Sequence, residues 1–313
     1  MTEAAESGYA QRLGEEARFW DERADQLFSS GRIPLWFDHR RGEDLRSIPL
    51  EQLRGAAVRA DPLLYRIVYG DLLARIIDEA TQQRGRALDL GCGAGWLSLE
   101  LARRGMEVEG YDIGPRQIEI AREFARESRE SSDPLLHGDF GSADYGVLDL
   151  NRAVLEEEAY QVAVSVGTLH HIERLEHLLD QVQRGLKPGG KFVVYEYIGY
   201  QGPARIFGAT FSLARAVGRL VKKIAGVSSS VAVSACEGVS QHEILELVES
   251  RFEVERKEYH FLFLPVLIAG LRLYRLPHAV GIPLVRGLYA LEKLLGGSDL
   301  LRGPYLLAIA RKR

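Results

Sequence analysis

The chain has 313 residues, of which 46% are hydrophobic and 27% charged, and its formal net charge is −4. These values are typical of a soluble globular protein with a substantial core, and they argue against a chain that coats nucleic acid through an overall basic surface. The two cysteines, Cys92 and Cys236, stand far apart, so we expect neither a disulfide framework nor a metal site. The polar N-terminus is not a signal peptide, and no uninterrupted apolar stretch of about 18 residues predicts a spanning helix. We therefore expect a cytoplasmic protein.

The first predicted element is an N-terminal extension. Residues 1–60 are polar with scattered large aromatic side chains, and they predict one or two helices and a loop that form a cap. From residue 61, apolar residues recur at three- and four-residue spacing, which predicts an amphipathic helix before the first strand.

A core domain follows, in which short apolar runs alternate with helical patterns. Strands are predicted at 86–90, 106–113, 160–166 and 191–198, and helices at about 95–104, 115–127 and 175–186. The segment KPGG predicts a turn before the last of these strands. Strands separated by helices indicate right-handed crossovers and a mainly parallel α/β sheet with helices on both faces.

The segment ALDLGCGAGWLS places glycines at the first turn from a strand to a helix. Gly91, Gly93 and Gly95 follow Asp89, and Asp112 closes the second strand 21 positions after Gly91. Glycines at such a turn let a ligand approach the backbone, and an acid at the end of the second strand can accept both hydroxyls of a ribose. The pattern predicts a nucleoside site, while the alternative is that the glycines only form a tight turn.

At these residues the sequence resembles the class I S-adenosylmethionine-dependent methyltransferase family. The likeness rests on LDLGCGAGWLS and VEGYDIG, and it continues through HGDF (137–140), SVGTLHHI (165–172) and LKPGGKFVVYEY. Segments 252–264 and 305–313 resemble the last two strands of the family. The resemblance implies a Rossmann-like sheet of seven strands with an antiparallel last strand. It divides the chain into a cap (1–60), a cofactor-binding core (61–200), a helical lid with a following helix (201–250), and two strands with a helical insertion between them (251–313).

The resemblance also implies S-adenosylmethionine as the cofactor and assigns contacts to its methionine and ribose. Asp89 is expected near the methionine ammonium or an ordered water, and Asp112 at the ribose hydroxyls. The methionine part is expected to lie against Gly91, Cys92, Gly93 and Gly95.

A second group of residues is implied around the adenine and the sulfur. Ile113 is expected to pack on the ring, Asp139 to pair with the adenine amino group, and Phe140 to line the ring. Val166 is expected beneath the methyl donor.

A general base is required only where the methyl acceptor carries a proton. The candidates lie at the carboxyl ends of the predicted strands 160–166 and 191–198 and are His170, His171 and Glu196. Histidine titrates near neutral pH, and a carboxylate can orient an acceptor or a water. The alternative is that these side chains only shape the pocket or bind the acceptor.

Acceptor binding is predicted for Trp36 and Tyr65 of the N-terminal part and for Tyr197, although packing is the alternative role. Because VGTLHHI stands where a nucleic-acid methyltransferase would carry Asn-Pro-Pro-Tyr, we expect a small-molecule acceptor and no nucleic acid. The sequence favours O-methylation of a lipophilic or acidic metabolite. The alternatives are N- or C-methylation of a small molecule or lipid at a membrane surface, and a non-catalytic nucleoside-binding protein.

Two segments bear on a membrane contact. Residues 203–226 form a basic amphipathic pattern, and residues 260–295 are apolar but interrupted by Pro265, Pro277 and Pro283. Both are predicted to form a helical lid, and the alternative is that they also touch an anionic membrane surface.

Overall fold

The computed structural model describes residues 3–29, 70–130, 140–200, 202–208, 243–264, 267–268, 273, 276–296 and 301–313. Three predicted site residues, Trp36, Tyr65 and Asp139, lie outside these ranges, as does most of the predicted lid.

The described part of the chain alternates between helices and strands. Its helices are α1 (Glu3–Ser29), α2 (Gly70–Ala80), α3 (Trp96–Ala102), α4 (Pro115–Glu130), α5 (Leu175–Gly185), α6 (Glu243–Arg251) and α7 (His278–Gly296). Its strands are β1 (Arg86–Leu90), β2 (Glu107–Asp112), β3 (Ser142–Val147), β4 (Tyr160–Val166), β5 (Leu186–Tyr197), β6 (Phe252–His260) and β7 (Tyr305–Lys312). A short 3₁₀ turn, Leu169–His171, follows β4.

The strands form one seven-stranded sheet in the order β3-β2-β1-β4-β5-β7-β6. The pairs from β3 to β5 are parallel, and β7 runs antiparallel to both β5 and β6. The predicted α/β class with an antiparallel last strand is therefore confirmed, and α7 provides the predicted helical insertion between β6 and β7.

Alternate residues of each strand pack against different helical layers. Ala87 of β1 belongs to a core with residues of α2, α3 and α4, whereas Leu88 and Leu90 belong to a second core with residues of α5 and α6. Side chains of adjacent strand residues point to opposite faces, so a central strand covered on both faces is mostly apolar. This requirement explains why β1 and β4 have short, mostly apolar sequences.

Two local features differ from the sequence prediction. The edge strand β3, with the sequence SADYGV, was not predicted, because it contains two polar residues and a glycine and alternates between buried and exposed positions. The predicted turn KPGG lies within β5, whose pairing with β4 jumps from Tyr160–Leu186 to Val162–Lys191. The four residues of the turn therefore bulge from a strand that begins earlier than expected.

None of the described helices combines the length and the apolar composition that crossing a bilayer requires.

Candidate active site

The glycine loop between β1 and α3 has a backbone that only glycine adopts readily. Gly91, Gly93 and Gly95 have φ angles of 72°, 52° and 80°, all in the left-handed region. A Cβ atom on Gly91 would lie 2.1 Å from Oγ1 of Thr168, so the loop also touches the turn after β4. Gly91 thus allows the loop to contact the turn after β4, and the approach of a ligand to the glycines stays a prediction.

A cavity of about 380 Å³ opens at the carboxyl ends of β1, β2, β3 and β4. This volume lies within the range of small-molecule sites, and the position is the one where open α/β sheets bind ligands. The predicted residues that line it are Gly91, Cys92, Gly93, Asp112, Ile113, Val166 and His171. Helix α1 closes it with Leu13, Glu16, Trp20, Arg23 and Ala24.

Asp112 holds the end of β2 to the glycine loop. Its Oδ2 accepts the backbone N–H of Gly93 at 3.0 Å, and its Oδ1 accepts that of Gly114 at 2.9 Å. Burial raises the pKa of this carboxyl, while the two backbone donors act in the opposite direction. The carboxylate borders the cavity, where its remaining lone pairs can accept the hydroxyls of a ribose.

Asp89 lies behind the glycine loop rather than at its surface. It is 2% exposed, its Oδ2 accepts the hydroxyl of Ser98 at 2.6 Å, and it is not among the residues that line the cavity. Burial raises the pKa of its carboxyl to about 7. Burial also raises the pKa of the Cys92 thiol well above its ordinary value, so this thiol is no nucleophile.

The acid that lies just beyond the end of β3 is Asp149. Leu148, Asp149, Leu150 and Asn151 line the cavity just beyond Val147, the last residue of β3. Phe140 precedes β3, at the amino edge of the sheet, and it does not line the cavity. The cavity lies at the carboxyl ends of the parallel strands, and the contact of Phe140 with the adenine ring stays a prediction.

The three predicted catalytic residues meet at the turn after β4 but differ in burial and in access to the cavity. Glu196 is fully buried, and its oxygens accept the backbone N–H of Leu169 at 2.7 Å and contact Nδ1 of His170 at 2.5 Å. His171 lines the cavity, whereas His170 and Glu196 do not. Gly95 and Tyr197 are likewise absent from the lining, and the ring of Tyr197 packs edge-on against Tyr305.

Hydrogen bonds and ion pairs along helix α1 fix it to the rim of the cavity. The Tyr9 hydroxyl donates to Oδ2 of Asp149 at 2.6 Å, and Arg12 forms an ion pair with Glu173 at 2.8 Å. Near the other end, Oδ1 of Asp21 accepts the backbone N–H groups of Arg116 and Gln117 at the start of α4. The helix therefore spans the ends of β2, β3 and β4.

Known proteins are similar to this chain in sequence and in fold. Residues 64–217 match a sequence family described as a methyltransferase domain. Sterol 4-C-methyltransferase strm-1 of Caenorhabditis elegans is 32% identical over 112 residues, which are 36% of this chain and 30% of that protein. Ubiquinone biosynthesis O-methyltransferase of Hahella chejuensis is 36% identical over 121 residues, which are 36% of this chain and 44% of that protein. The chain thus spans about a third of the length of the curated relatives it matches.

A solved structure extends the likeness to most of the chain. Geranyl diphosphate C-methyltransferase from Streptomyces coelicolor A3(2) superposes with a TM-score of 0.57 over 96% of this chain and 98% of that one, at 15% identity. At this identity the superposition shows the fold alone. Residues 64–217 form a domain of the class I S-adenosylmethionine-dependent methyltransferase family.

The geometry of this methyltransferase domain fits its cofactor. Only a residue without a Cβ fits at Gly91, because a Cβ there would clash with Thr168. Asp112 borders the cavity at the end of β2, and the cavity has the volume of a small-molecule site. The residues that would hold the methionine part are Gly91, Cys92 and Gly93 of the loop. Asp112 would hold the ribose.

The sequence analysis missed several residues that line the cavity. Asp149 was detectable as an acid two positions beyond a strand, but that strand is a polar edge strand and was itself not predicted. Glu16 carries no motif at all, because it lies on a helix far from the core segments in sequence. Its position depends on how α1 docks.

Proposed function

We propose that this chain transfers the methyl group of S-adenosylmethionine to a hydroxyl oxygen of a lipophilic small molecule. The observation that carries the proposal is His171, a candidate proton acceptor that borders the same cavity as the glycine loop and Asp112. When bound, the cofactor supplies an electrophilic methyl group on a positively charged sulfur. Oxygen acceptors carry a proton, so a base beside the cavity favours them.

The charges around the cavity favour a neutral acceptor over an acidic one. Among the described residues, the carboxylates of Glu16, Asp112 and Asp149 line it, against the guanidinium of Arg23. An anionic acceptor would be repelled by this excess of negative charge. Apolar side chains such as Leu13, Trp20 and Ile172 supply contacts for a lipophilic one.

The chain's own residues would position the reactants and exclude water. The glycine loop and Asp112 would hold the cofactor, and α1 would cover the reacting atoms with Leu13 and Trp20. Holding an acceptor oxygen in line with the methyl group supplies several kcal/mol of the barrier reduction.

Calorimetry with S-adenosylmethionine and with its demethylated product tests cofactor binding. We expect Asp112→Asn to weaken the affinity at least tenfold, because the ribose loses a charged acceptor, and we expect Asp144→Asn, an exposed acid on β3, to leave it unchanged. Failure of the wild-type chain to bind either compound would refute the proposal.

Release of demethylated product, measured with panels of hydroxylated, amine and carboxylate acceptors, then tests the reaction. We expect turnover with lipophilic alcohols or phenols. Cofactor binding without turnover on any acceptor would instead support the non-catalytic alternative, and turnover on amines alone would make nitrogen the acceptor atom.

A second candidate is methylation of a lipid at a membrane surface, and the exposed face of α7 favours it. Val280, Leu284, Leu291 and Leu294 of this helix are 42 to 75% exposed and recur on one face. The one acid of α7, Glu292, is buried and accepts backbone N–H groups of Phe261, Phe263 and Leu264. The charged side chains left on the exposed part of α7 are Arg286 and Lys293, which suit an anionic lipid surface.

Flotation with vesicles that contain anionic phosphatidylglycerol tests this location. We expect the wild-type chain to float at low salt and to be released at high salt. The double variant with Leu284→Glu and Leu291→Glu should lose flotation, whereas Val154→Glu, at a 75% exposed valine elsewhere, should retain it. No flotation of the wild-type chain would exclude the membrane location.

A further inference from the structure

Two imidazoles and two carboxylates meet at the turn after β4. The ring centroids of His170 and His171 are 3.9 Å apart. Glu196 lies 2.5 Å from Nδ1 of His170, and Glu16 of helix α1 lies 3.2 Å from Nδ1 of His171. Each imidazole therefore has its own carboxylate, and the two pairs differ in where they lie.

The inner pair is part of the fold. Glu196 is fully buried, and besides His170 it accepts the backbone N–H groups of Leu169 and Tyr197. Neither His170 nor Glu196 lines the cavity. Their contacts hold the turn in shape.

The outer pair borders the cavity. Glu16 and His171 both line it, although Glu16 is only 4% exposed. The indole N–H of Trp20 donates to Oε1 of Glu16 at 2.6 Å, and the Trp20 ring meets the His171 ring edge-on at 5.4 Å. The carboxylate, the indole and the imidazole thus fix one another at the cavity wall.

A carboxylate at Nδ1 of an imidazole has two chemical effects. It keeps the proton of the neutral ring on Nδ1, which leaves the basic lone pair on Nε2, and it stabilises the doubly protonated cation. Both effects make the imidazole a better proton acceptor. A buried carboxylate acts more strongly than an exposed one, because water screens it less.

We propose that Glu16 is a positioning residue that prepares His171 to accept the proton of the acceptor hydroxyl. This inference rests on the proposed function. In the transfer, a bond forms between the acceptor oxygen and the methyl carbon while the bond from that carbon to sulfur breaks, and its electron pair stays on sulfur. The hydroxyl proton passes to Nε2 of His171, and the resulting cation is stabilised by Glu16 until the proton leaves to solvent.

Other charged groups also face His171: the cation of Arg23 opposes protonation of the ring, whereas nearby carboxylates favour it. The ring of His170 lies against His171 on the same turn, with Glu196 behind that ring. Arg23 of α1, Asp112 beyond β2 and Asp149 beyond β3 line the same cavity. Of the carboxylates described around this cavity, Glu16 is the one paired with His171.

The test compares Glu16→Gln, which keeps the size of the side chain, with Glu15→Gln, the same change at the exposed neighbouring residue. The ring nitrogen signals of His171 are followed by NMR against pH in the protein without added cofactor or acceptor. We expect Glu16→Gln to lower the His171 titration midpoint by about one pH unit. We also expect more of the neutral ring to carry its proton on Nε2, and Glu15→Gln to change neither property.

Kinetics with an acceptor found in the panel supply the second readout. Because the base must be unprotonated, turnover rises with pH through its titration, and this rise should move to lower pH in Glu16→Gln. In Glu16→Gln we expect kcat to fall ten- to a hundredfold at neutral pH, with the KM for the cofactor unchanged. Glu16→Asp, which keeps the carboxylate, should restore part of the lost kcat.

Two results would overturn the inference. One is a His171 titration and tautomer that are the same in folded Glu16→Gln as in the wild type. The other is turnover by His171→Ala within tenfold of the wild-type rate. If the wild-type chain methylates no acceptor, the proposed function fails and the kinetic role of Glu16 fails with it, while the NMR comparison still decides whether Glu16 controls His171.

Discussion

At Gly91 the nearest neighbours are the side-chain atoms of Thr168, which pack against the backbone where a Cβ would stand. Gly93 shares the left-handed backbone, but its nearest neighbour is Oε1 of Gln117 at 3.7 Å from a Cβ position. A substitution at Gly93 therefore measures the free-energy cost of the left-handed backbone alone, and one at Gly91 adds the cost of the contact with Thr168.

Alanine at these two positions should destabilise the chain to different degrees. We expect Gly93→Ala to lower the free energy of unfolding by about 1–2 kcal/mol, which is the cost of a left-handed residue with a side chain. Gly91→Ala should cost at least about 3 kcal/mol, because the stiff Thr168 must also move. Urea denaturation without cofactor measures both, and equal losses would mean that the Thr168 contact is unimportant.

Asp89 gives the stability of the chain a pH dependence whose sign is opposite to that of most carboxylates. Burial raises the pKa of its carboxyl from 3.8 to about 7, so between these values the folded chain holds a proton that the unfolded chain has lost. Stability from this group therefore falls as pH rises from about 4 to 7. Above pH 7 the full cost is about 4 kcal/mol.

The variant Asp89→Asn removes this titration while it keeps an acceptor for the Ser98 hydroxyl. We expect the free energy of unfolding of the wild type, relative to the variant, to drop by about 3 kcal/mol between pH 5 and pH 8. Other titrating groups cancel in this comparison. Parallel pH profiles for the two proteins would contradict a raised pKa at Asp89.

At the scale of elements, helix α1 completes the start of helix α4. The first residue of α4, Pro115, lacks an N–H group, and the next two N–H groups donate to Asp21 of α1. Asp21 thus acts as an N-terminal cap supplied by another element. It ties the helix that covers the cavity to the loop after Asp112.

Removing this cap should free two particular amides. We expect the hydrogen exchange of the Arg116 and Gln117 amides to accelerate about fivefold in Asp21→Ala, since a lost cap costs about 1 kcal/mol. Asp25→Asn serves as the control. Among the contacts described for Asp25, the partner is the exposed side chain of Arg116. Equal exchange in both variants would show that Asp21 does not cap α4.

At the scale of the whole molecule, helix α1 covers the cavity but contributes little to the hydrophobic core around the sheet. Among the described residues, α1 supplies only Ala24 to the two core clusters, whose other members belong to the strands, to the other helices and to the loops between them. In contrast, α1 supplies five residues to the lining of the cavity. The fold should therefore depend on α1 far less than binding does.

Deletion of residues 1–29 tests this separation. We expect the shortened chain to retain the circular dichroism of the folded α/β domain, and its affinity for the demethylated cofactor product to fall at least tenfold because Leu13, Trp20 and Ala24 no longer cover the site. An unfolded shortened chain would show that α1 belongs to the core, and an unchanged affinity would show that it does not cover the cofactor.

The sequence by itself determined the features that depend on neighbouring residues. Continuous apolar runs predicted β1 and β4, because strands buried on both faces admit few polar residues. The spacing from Gly91 to Asp112 predicted the nucleoside site, since a strand, a turn, a helix and a second strand fix how far apart these residues stand in the chain.

Only the tertiary structure decided which distant side chains share the site. It placed Asp149 beside the cavity, where the parallel strands end. The sequence did not predict this position, because β3 is a polar edge strand that leaves little pattern in the sequence. The tertiary structure also brought Glu16 to His171, across 155 positions of the chain, through the docking of an amphipathic helix on the sheet rim. Such contacts follow from packing and from paired charges between elements, and no local periodicity records them.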